Sequence, residues 1–403
     1  MTRFFSPAGQ FMYTELLGAG KSMWRRYYTD KRVEKRRVEY SIKGTLHRET
    51  LFVENSSIIS WISYLDDSGR AFFTQWMDVE GNRADVFVAD GPGSSTRYSS
   101  LEEAQEEWFH SMASQLRGPL IVMIDDCTMS PVVENLRLKN AKIIAIFHKD
   151  HNTPAHRPMI DGMGSWDAVV CSTQGQARVL EEVVPQSLGI TSIAQPIPDR
   201  SITRESDDKP AGRFAFFGRL IPIKNVLPLV SSFVRVSRVV PMASLDIYGS
   251  GPLEPQLREL IAELNLQEKV RLMGRTDHPV ARMAEYSAVI VPSSFEAFGL
   301  VIGEAMLAAT PVIAFDCDFG PRDIISHGVD GTLVDAGDFE KLSDHMIYVS
   351  GNPDEADAMG RAGRKSVLER FGNDRIMAQW EKLIDVLLAI DEVSGPAVSR
   401  IAD

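Results

Sequence analysis

The sequence predicts an α/β protein in which two lobes built on parallel sheets follow a β-rich extension. Between Arg213 and Phe371, apolar runs of strand length alternate with longer runs whose apolar residues recur at helical spacing, the pattern of a mostly parallel sheet with helices on both faces. A shorter series of the same kind lies between residues 120 and 195. Ahead of both, residues 23 to 95 are rich in short β-type segments separated by turn residues. With 403 residues and 44% hydrophobic content, the chain has core enough for two lobes and an appendage.

Residues 1–100 form the extension. Tyr64-Leu65-Asp66-Asp67-Ser68-Gly69 and Trp76-Met77-Asp78-Val79-Glu80-Gly81 are a near repeat, each with an aromatic, an Asp and a Gly, as in successive turns of a meander. Such sheets expose edges that can pair with another subunit. Lys21, Arg25, Arg26, Lys31, Arg32, Lys35, Arg36 and Arg37 crowd one stretch opposed only by Asp30 and Glu34, and Trp24, Tyr27 and Tyr28 lie among them. Two readings stand: a surface that grips a polyanion or an anionic membrane face, or a solvated strand face.

Residues 101–198 read as a shortened N-terminal lobe, with a helix at 101–116 and strands at Leu120–Asp126, Lys142–His148, Ala168–Ser172 and Ile190–Gln195. The strand ending Phe147-His148-Lys149-Asp150-His151 carries a histidine to a sheet edge. The polar run 199–212, with Ser206-Asp207-Asp208-Lys209-Pro210, reads as a linker to the C-terminal lobe, 213–373. A last helix, 374–392, presents Ile376, Trp380, Leu383, Ile384 and Leu387 on one face.

Chemistry concentrates in the C-terminal lobe. The strand Arg213–Phe217 runs into Gly218-Arg219-Leu220-Ile221-Pro222-Ile223-Lys224, where two cations bracket a short loop. Arg219 offers a planar fork that matches phosphate oxygens, and Lys224 a compact point charge. Ala243–Tyr248 is a strand that stops at Gly249-Ser250-Gly251, and Lys269–Arg275 is another, with a glycine stop at Gly274. The strand Ser287–Val291 ends at Pro292, after which Glu296 falls in a loop and Glu304 on the helix that Gly299 opens. The backbone N–H groups of Phe298, Gly299, Leu300 and Val301 would form an anion site at that helix start.

Together these stretches resemble the retaining glycosyltransferases of family 4, whose GT-B fold sets two Rossmann-like domains face to face. Ser294 to Met306 matches the family's E-x7-E signature. The resemblance implies that Glu296 sits beside the donor sugar and Glu304 takes the ribose hydroxyls. It implies that Arg219 and Lys224 neutralise the departing diphosphate without a catalytic metal. It also sets Gly218 and Gly249-Ser250-Gly251 near the nucleotide, the loop with Arg275 near its base, and His148 across the cleft from the donor sugar, with His151 as second choice. The extension is similar in pattern to the one in bacterial poly(glycerol-phosphate) α-glucosyltransferases and adhesin glycosyltransferases, where it promotes oligomerisation and contacts the acceptor. Where the family has an opening strand and a Gly-rich loop, this chain opens with Phe4-Phe5-Ser6-Pro7 and the β-rich part, so either the first βαβ units are absent or the chain begins downstream of them; the final helix is expected to cross back onto the N-terminal lobe.

The expected activity is transfer of a hexose, glucose or N-acetylglucosamine, from a UDP-sugar to a hydroxyl of a cell-envelope polymer or a glycoprotein, with retention. No cofactor is expected beyond the donor, and no His, Cys and Asp cluster has metal-ligand spacing. The alternatives are a non-catalytic acceptor-binding partner subunit, and an epimerase or phosphorylase on the same fold. A net charge of -12 argues against general nucleic-acid binding. No apolar stretch reaches the roughly 20 residues that span a bilayer, and no signal-type segment opens the chain. Cys127, Cys171 and Cys317 are scattered and odd in number. A cytoplasmic homo-oligomer, with peripheral contact at the inner face of the membrane, is expected.

Overall fold

The structure, a computed structural model, describes residues 2–5, 11–18, 21–29, 33–41, 45–53, 56, 58–78, 80, 82–91, 94–116, 118–125, 141–148, 160, 166–182, 188–197, 199 and 211–389. Asp30, Lys31, Arg32, Val79, Gly81, Cys127, His151, residues 200–210 of the expected linker and 390–392 of the last helix lie outside the described residues. The chain divides into two compact units, one reaching to Gly118 and the other holding the described residues 119–125 and 141–389.

The first unit is a nine-stranded meander in sequence order: β1 (Thr2–Phe5), β2 (Phe11–Gly18), β3 (Lys21–Tyr28), β4 (Glu34–Tyr40), β5 (Leu46–Phe52), β6 (Ile59–Leu65), β7 (Ala71–Met77), β8 (Arg83–Gly91) and β9 (Ser94–Tyr98). The near repeat falls on two successive hairpins. Asp66 Oδ1 accepts the N–H groups of Ser68 and Arg70, and Asp78 Oδ1 those of Glu80 and Asn82. The basic stretch does not stand bare. Register sets Arg25 opposite Glu15, and the described arginines find carboxylates: Arg25 Nε to Glu15 Oε1 at 2.7 Å, Arg36 Nε to Glu49 Oε1 at 2.5 Å, Arg37 Nε to Glu34 Oε1 at 2.7 Å and Arg26 Nε to Glu34 Oε1 at 3.8 Å. Trp24 and Tyr27 carry the guanidinium groups of Arg26 and Arg36 over their rings. Such half-exposed pairs each contribute only about 0–1 kcal/mol, so their main effect is to cancel charge and fix register.

Helix α1 (Leu101–Gln115) falls in the same compact unit as this sheet, whose described residues run to Gly118. Ser100 Oγ accepts the N–H of Glu103, whose carboxylate accepts the N–H and hydroxyl of Ser99, so the start of the helix is capped from both sides. Leu101 and Ala104 pack on Phe73, Val86, Val88 and Tyr98. Trp108, on the same helix, is exposed.

The second unit contains two parallel sheets. One has the order β10 (Leu120–Ile124), β11 (Ala141–Phe147), β12 (Ala168–Cys171) and β13 (Gly189–Ser192), with α2 (Gln174–Glu181) between the last two. The other has β14 (Arg213–Phe217), β15 (Ser244–Tyr248), β16 (Val270–Gly274), β17 (Ala288–Val291), β19 (Val312–Asp316) and β21 (Thr332–Asp335) in the order β16-β15-β14-β17-β19-β21. Between them in sequence come α3 (Val226–Val239), α4 (Glu254–Glu263), α5 (Pro279–Met283), α6 (Leu300–Leu307) and α7 (Gly320–Ile324); α8 (Phe339–Gly351), α9 (Pro353–Phe371) and α10 (Asn373–Ala389) follow. A short pair, β18 (Phe295–Glu296) and β20 (Asp318–Phe319), stands apart.

Alternation along the strands explains the two faces. Phe214 and Phe216 of β14 join one core with α3 and α8, while Ala215 and Phe217 join the other with α6. The final helix completes the first sheet: Ile376, Leu383 and Leu387 of α10 pack on Ile144, Ala168, Val170 and Ile193. No helix among the described residues is long and apolar enough to cross a membrane.

One carboxylate ties the second sheet together from inside. Asp246 on β15 is fully buried. Arg271 donates Nε to Asp246 Oδ1 at 2.6 Å and Nη2 to Oδ2 at 2.8 Å, and the Tyr286 hydroxyl donates to Oδ2 at 2.7 Å. Burial and these bonds push the Tyr286 phenol up, keeping it a donor. Above the network, Phe217 and Tyr248 stack at 4.5 Å beneath the loops that leave β14 and β15. Those loops touch backbone to backbone. Gly249, at φ 138°, lies so close that a Cβ would stand 1.8 Å from Gly218 O.

Asp246→Ala leaves Arg271 and Tyr286 without their shared acceptor and should lower the stability of this unit by about 1.5–3 kcal/mol in urea unfolding; a change under about 0.5 kcal/mol would contradict the network's role. Gly249→Ala forces the two loops apart at an unfavourable φ, and a loss of at least about 2 kcal/mol is expected by the same measurement.

Candidate active site

The strand order reverses on either side of β14, so a crevice opens between the carboxyl ends of β14 and β17, where sheets of this kind hold ligands. Pairing between these strands covers only Phe214↔Ala288 and Ala215↔Val289, and their last residues are free to splay. The loop after β14 curls into a 3-10 turn at Pro222–Lys224, and Asn225, at φ 51°, starts α3. The loop after β17 passes alongside it. Asn225 Nδ2 donates to Pro292 O at 2.9 Å and Ser294 N to Ile223 O at 2.9 Å, lacing the two loops together.

Across this seam Lys224 Nζ meets Glu296 Oε1 at 2.5 Å, with most of both side chains shielded from water. The Ser293 hydroxyl donates to the same oxygen at 2.7 Å. Glu296 is held from behind as well, because β18 pairs it with Phe319 of β20. Cys317, two residues before, is buried; burial first and the Glu296 charge second push its thiol up to about 12. Cys171 is also pushed up to about 12 by burial, so both thiols are unreactive near neutral pH.

The other expected residues of the C-terminal lobe lie near the same sheet edge. Gly218 N bonds to Tyr248 O, Leu220 N to Ser250 O and Gly249 N to Gly274 O, joining the loops after β14, β15 and β16 into one rim. Arg219, Ser250 and Arg275 are exposed on that rim, and Gly251 packs under Leu220 O. Gly299 caps α6 at φ 93°, which leaves the N–H groups of Leu300 and Val301 without acceptors inside the helix. Leu300 is exposed. Phe298 is buried, with its ring 5.5 Å from that of Phe371, so its side chain belongs to the core and only its backbone can face a ligand. Glu304 lies one turn into α6, half-buried. His148 sits half-buried at the carboxyl end of β11, in the other sheet.

Several contributors have no clear mark in the sequence. Ser293 and Asn225 look like ordinary loop residues; the buried Ser three positions before Glu296 and the left-handed Asn show their roles only in space. Contacts between the lobes are equally silent. Asp323 Oδ2 accepts Gly175 N at 3.3 Å at the start of α2, and Ile197 N donates to Phe371 O at 2.8 Å. Beside them a crevice of about 420 Å³ runs between Ser172, Thr173 and Ser192 on one lobe and Phe298, Arg322 and Arg370 on the other. Among the described residues, no three His, Cys, Asp or Glu side chains are placed to share a metal ion.

Comparison with known proteins agrees with this architecture. Residues 199–366 match the glycosyl transferases group 1 family. The poly(glycerol-phosphate) alpha-glucosyltransferase of Bacillus subtilis is 21% identical over 407 residues, which is 97% of this chain and 60% of that protein. An exopolysaccharide phosphotransferase of Streptomyces coelicolor is 33% identical over 225 residues, 55% of this chain but 24% of that protein. The match spans 55% of the poly(ribitol-phosphate) alpha-N-acetylglucosaminyltransferase of Staphylococcus aureus, so the chain covers less than two thirds of each of these three relatives. Among solved structures, Staphylococcus aureus TarM, in complex with Fondaparinux, alpha-GlcNAc-glycerol and UDP, superposes with a TM-score of 0.75 at 18% identity, covering 95% of this chain and 78% of that one. The pneumococcal O-GlcNAc transferase GtfA, in complex with UDP and GlcNAc, gives 0.74 at 19% identity, covering 91% and 74%. The chain therefore has the GT-B fold, and residues 199–366 within it match the glycosyl transferases group 1 family.

Proposed function

We propose that this chain is a retaining hexosyltransferase that moves glucose or N-acetylglucosamine from a UDP-sugar to a hydroxyl of a cell-envelope polymer, such as poly(glycerol phosphate), or of a glycoprotein. The observation that carries the reading is the Lys224–Glu296 pair, 2.5 Å across the switch point, which puts a cation and a carboxylate in the crevice where such sheets hold nucleotides. A diphosphate gains negative charge as the glycosidic bond breaks. Lys224 and Arg219 would meet that charge, and the N–H groups at the start of α6 would add to it. Glu304 would take the ribose, the rim formed by Gly218, Gly249, Ser250, Gly251 and Arg275 the rest of the nucleotide, and His148 the sugar from the opposite lobe.

A double displacement would need a carboxylate close behind the anomeric carbon, as retaining glycosidases have, and Glu296 is not assigned that role in this reading. Front-face attack, with the departing phosphate oxygen receiving the acceptor proton, needs only positioning and charge neutralisation from the protein. TarM and GtfA in their UDP complexes support the choice of donor, and the alpha-GlcNAc-glycerol in the TarM complex supports a hydroxyl acceptor. The retained Arg219, Lys224, Glu296 and Glu304 speak against a purely acceptor-binding subunit, which has no use for them. We assign the acceptor contact and homo-oligomerisation to the meander, whose terminal strands β1 and β9 each have one strand neighbour in the sheet. A cytoplasmic location suits a UDP-sugar donor. The ion-paired arginines of β3 and β4 weaken the charge argument for attachment at the inner face of the membrane.

Incubation with UDP-glucose or UDP-N-acetylglucosamine should release UDP, faster with poly(glycerol phosphate) present. Glu296→Ala and Lys224→Ala should each lower kcat by about 100-fold or more, and full activity in either variant would refute the assignment. Chelation by EDTA should leave UDP release unchanged, since the cations that meet the diphosphate belong to the protein; loss of activity restored by a divalent ion would overturn metal independence.

A further inference from the structure

Donor binding creates a conflict at Glu296. Lys224 is its cationic partner, yet the incoming diphosphate competes for the same ammonium group. Glu296 is only 8% exposed, so a carboxylate released by Lys224 would lack water to replace the lost contact. The Ser293 hydroxyl holds the same Oε1 oxygen from a second direction at 2.7 Å. Being neutral, it has much less attraction for a phosphate than an ammonium has.

The backbone around Ser293 is fixed on both sides. Pro292 O accepts from Asn225 Nδ2 at 2.9 Å, Ser294 N donates to Ile223 O at 2.9 Å, and Ser293 itself is 1% exposed. The hydroxyl therefore cannot follow Glu296 if the carboxylate swings; it can only keep it in place.

We propose that Ser293 is a positioning residue that anchors Oε1 of Glu296 while Lys224 is shared with the diphosphate, so that Oε2 is the oxygen presented to the donor sugar. The inference rests on the sugar-nucleotide reading of the site. It separates two duties: Lys224 answers the charge of the leaving group, and Ser293 preserves the direction of the carboxylate.

Kinetics and structure test it separately. Ser293→Ala should lower kcat about 10- to 100-fold, the range for losing a hydrogen bond to a charged group, while UDP affinity by calorimetry stays within about threefold of wild type. Ser293→Thr, which keeps the hydroxyl, should recover most of kcat. Unchanged kcat in Ser293→Ala, equal losses in both variants, or a parallel fall in UDP affinity and thermal stability would overturn the proposal. Crystal structures of Lys224→Ala and of Lys224→Ala/Ser293→Ala give a readout independent of turnover. Glu296 should stay hydrogen bonded to Ser293 in the first and move in the second; movement in the first refutes the anchor. If the wild-type protein turns over no sugar nucleotide, the functional reading fails while these structures still decide the role of Ser293.

Discussion

The arrangement depends on one constraint: two loops from strands far apart in sequence must meet closely enough for Lys224 to reach Glu296. Nothing local enforces this. The strand order brings β14 and β17 side by side, and the ladder then stops at Ala215↔Val289 so that the loops can leave the sheet. Asn225 and Ser294 stitch the loops together, and the buried network around Asp246 fixes the strands below. An ion pair shielded from water is costly to assemble, and the protein meets that cost with neighbouring hydrogen bonds that leave little freedom to either partner.

Much of the C-terminal lobe is legible in the sequence because its strands are buried on both faces. Phe214 to Phe217 and Ala288 to Val291 are continuous apolar runs, and Gly218 and Pro292 mark their exits. Lys224 and Glu296 are legible through the resemblance that the spacing around Glu304 carries. The network beneath them is not. Asp246, Arg271 and Tyr286 lie in three separate segments, and no periodicity links a buried carboxylate to its donors. Ser293 is hidden for the same reason, since a serine in a loop has no sequence mark of burial. The grouping of residues 101–116 with the sheet is a tertiary outcome, settled by which apolar surface lies nearest to Leu101 and Ala104.

The extension shows how composition can mislead. Counting charges along residues 21–37 gives a strongly basic segment, but a meander places each strand beside its neighbours in sequence. Glu15 and Glu49, outside the counted stretch, become cross-strand partners of Arg25 and Arg36. Charge density in one dimension is therefore not charge density on the sheet. Aromatic side chains that looked like a recognition surface also serve as platforms for those same arginines.

The chain leaves the first lobe near Ile197 and returns at Phe371, and these two crossings are bonded to each other. The two crossings therefore share one point of attachment, and a substitution that removes the Ile197–Phe371 contact would act on both lobes without touching His148 or Glu296.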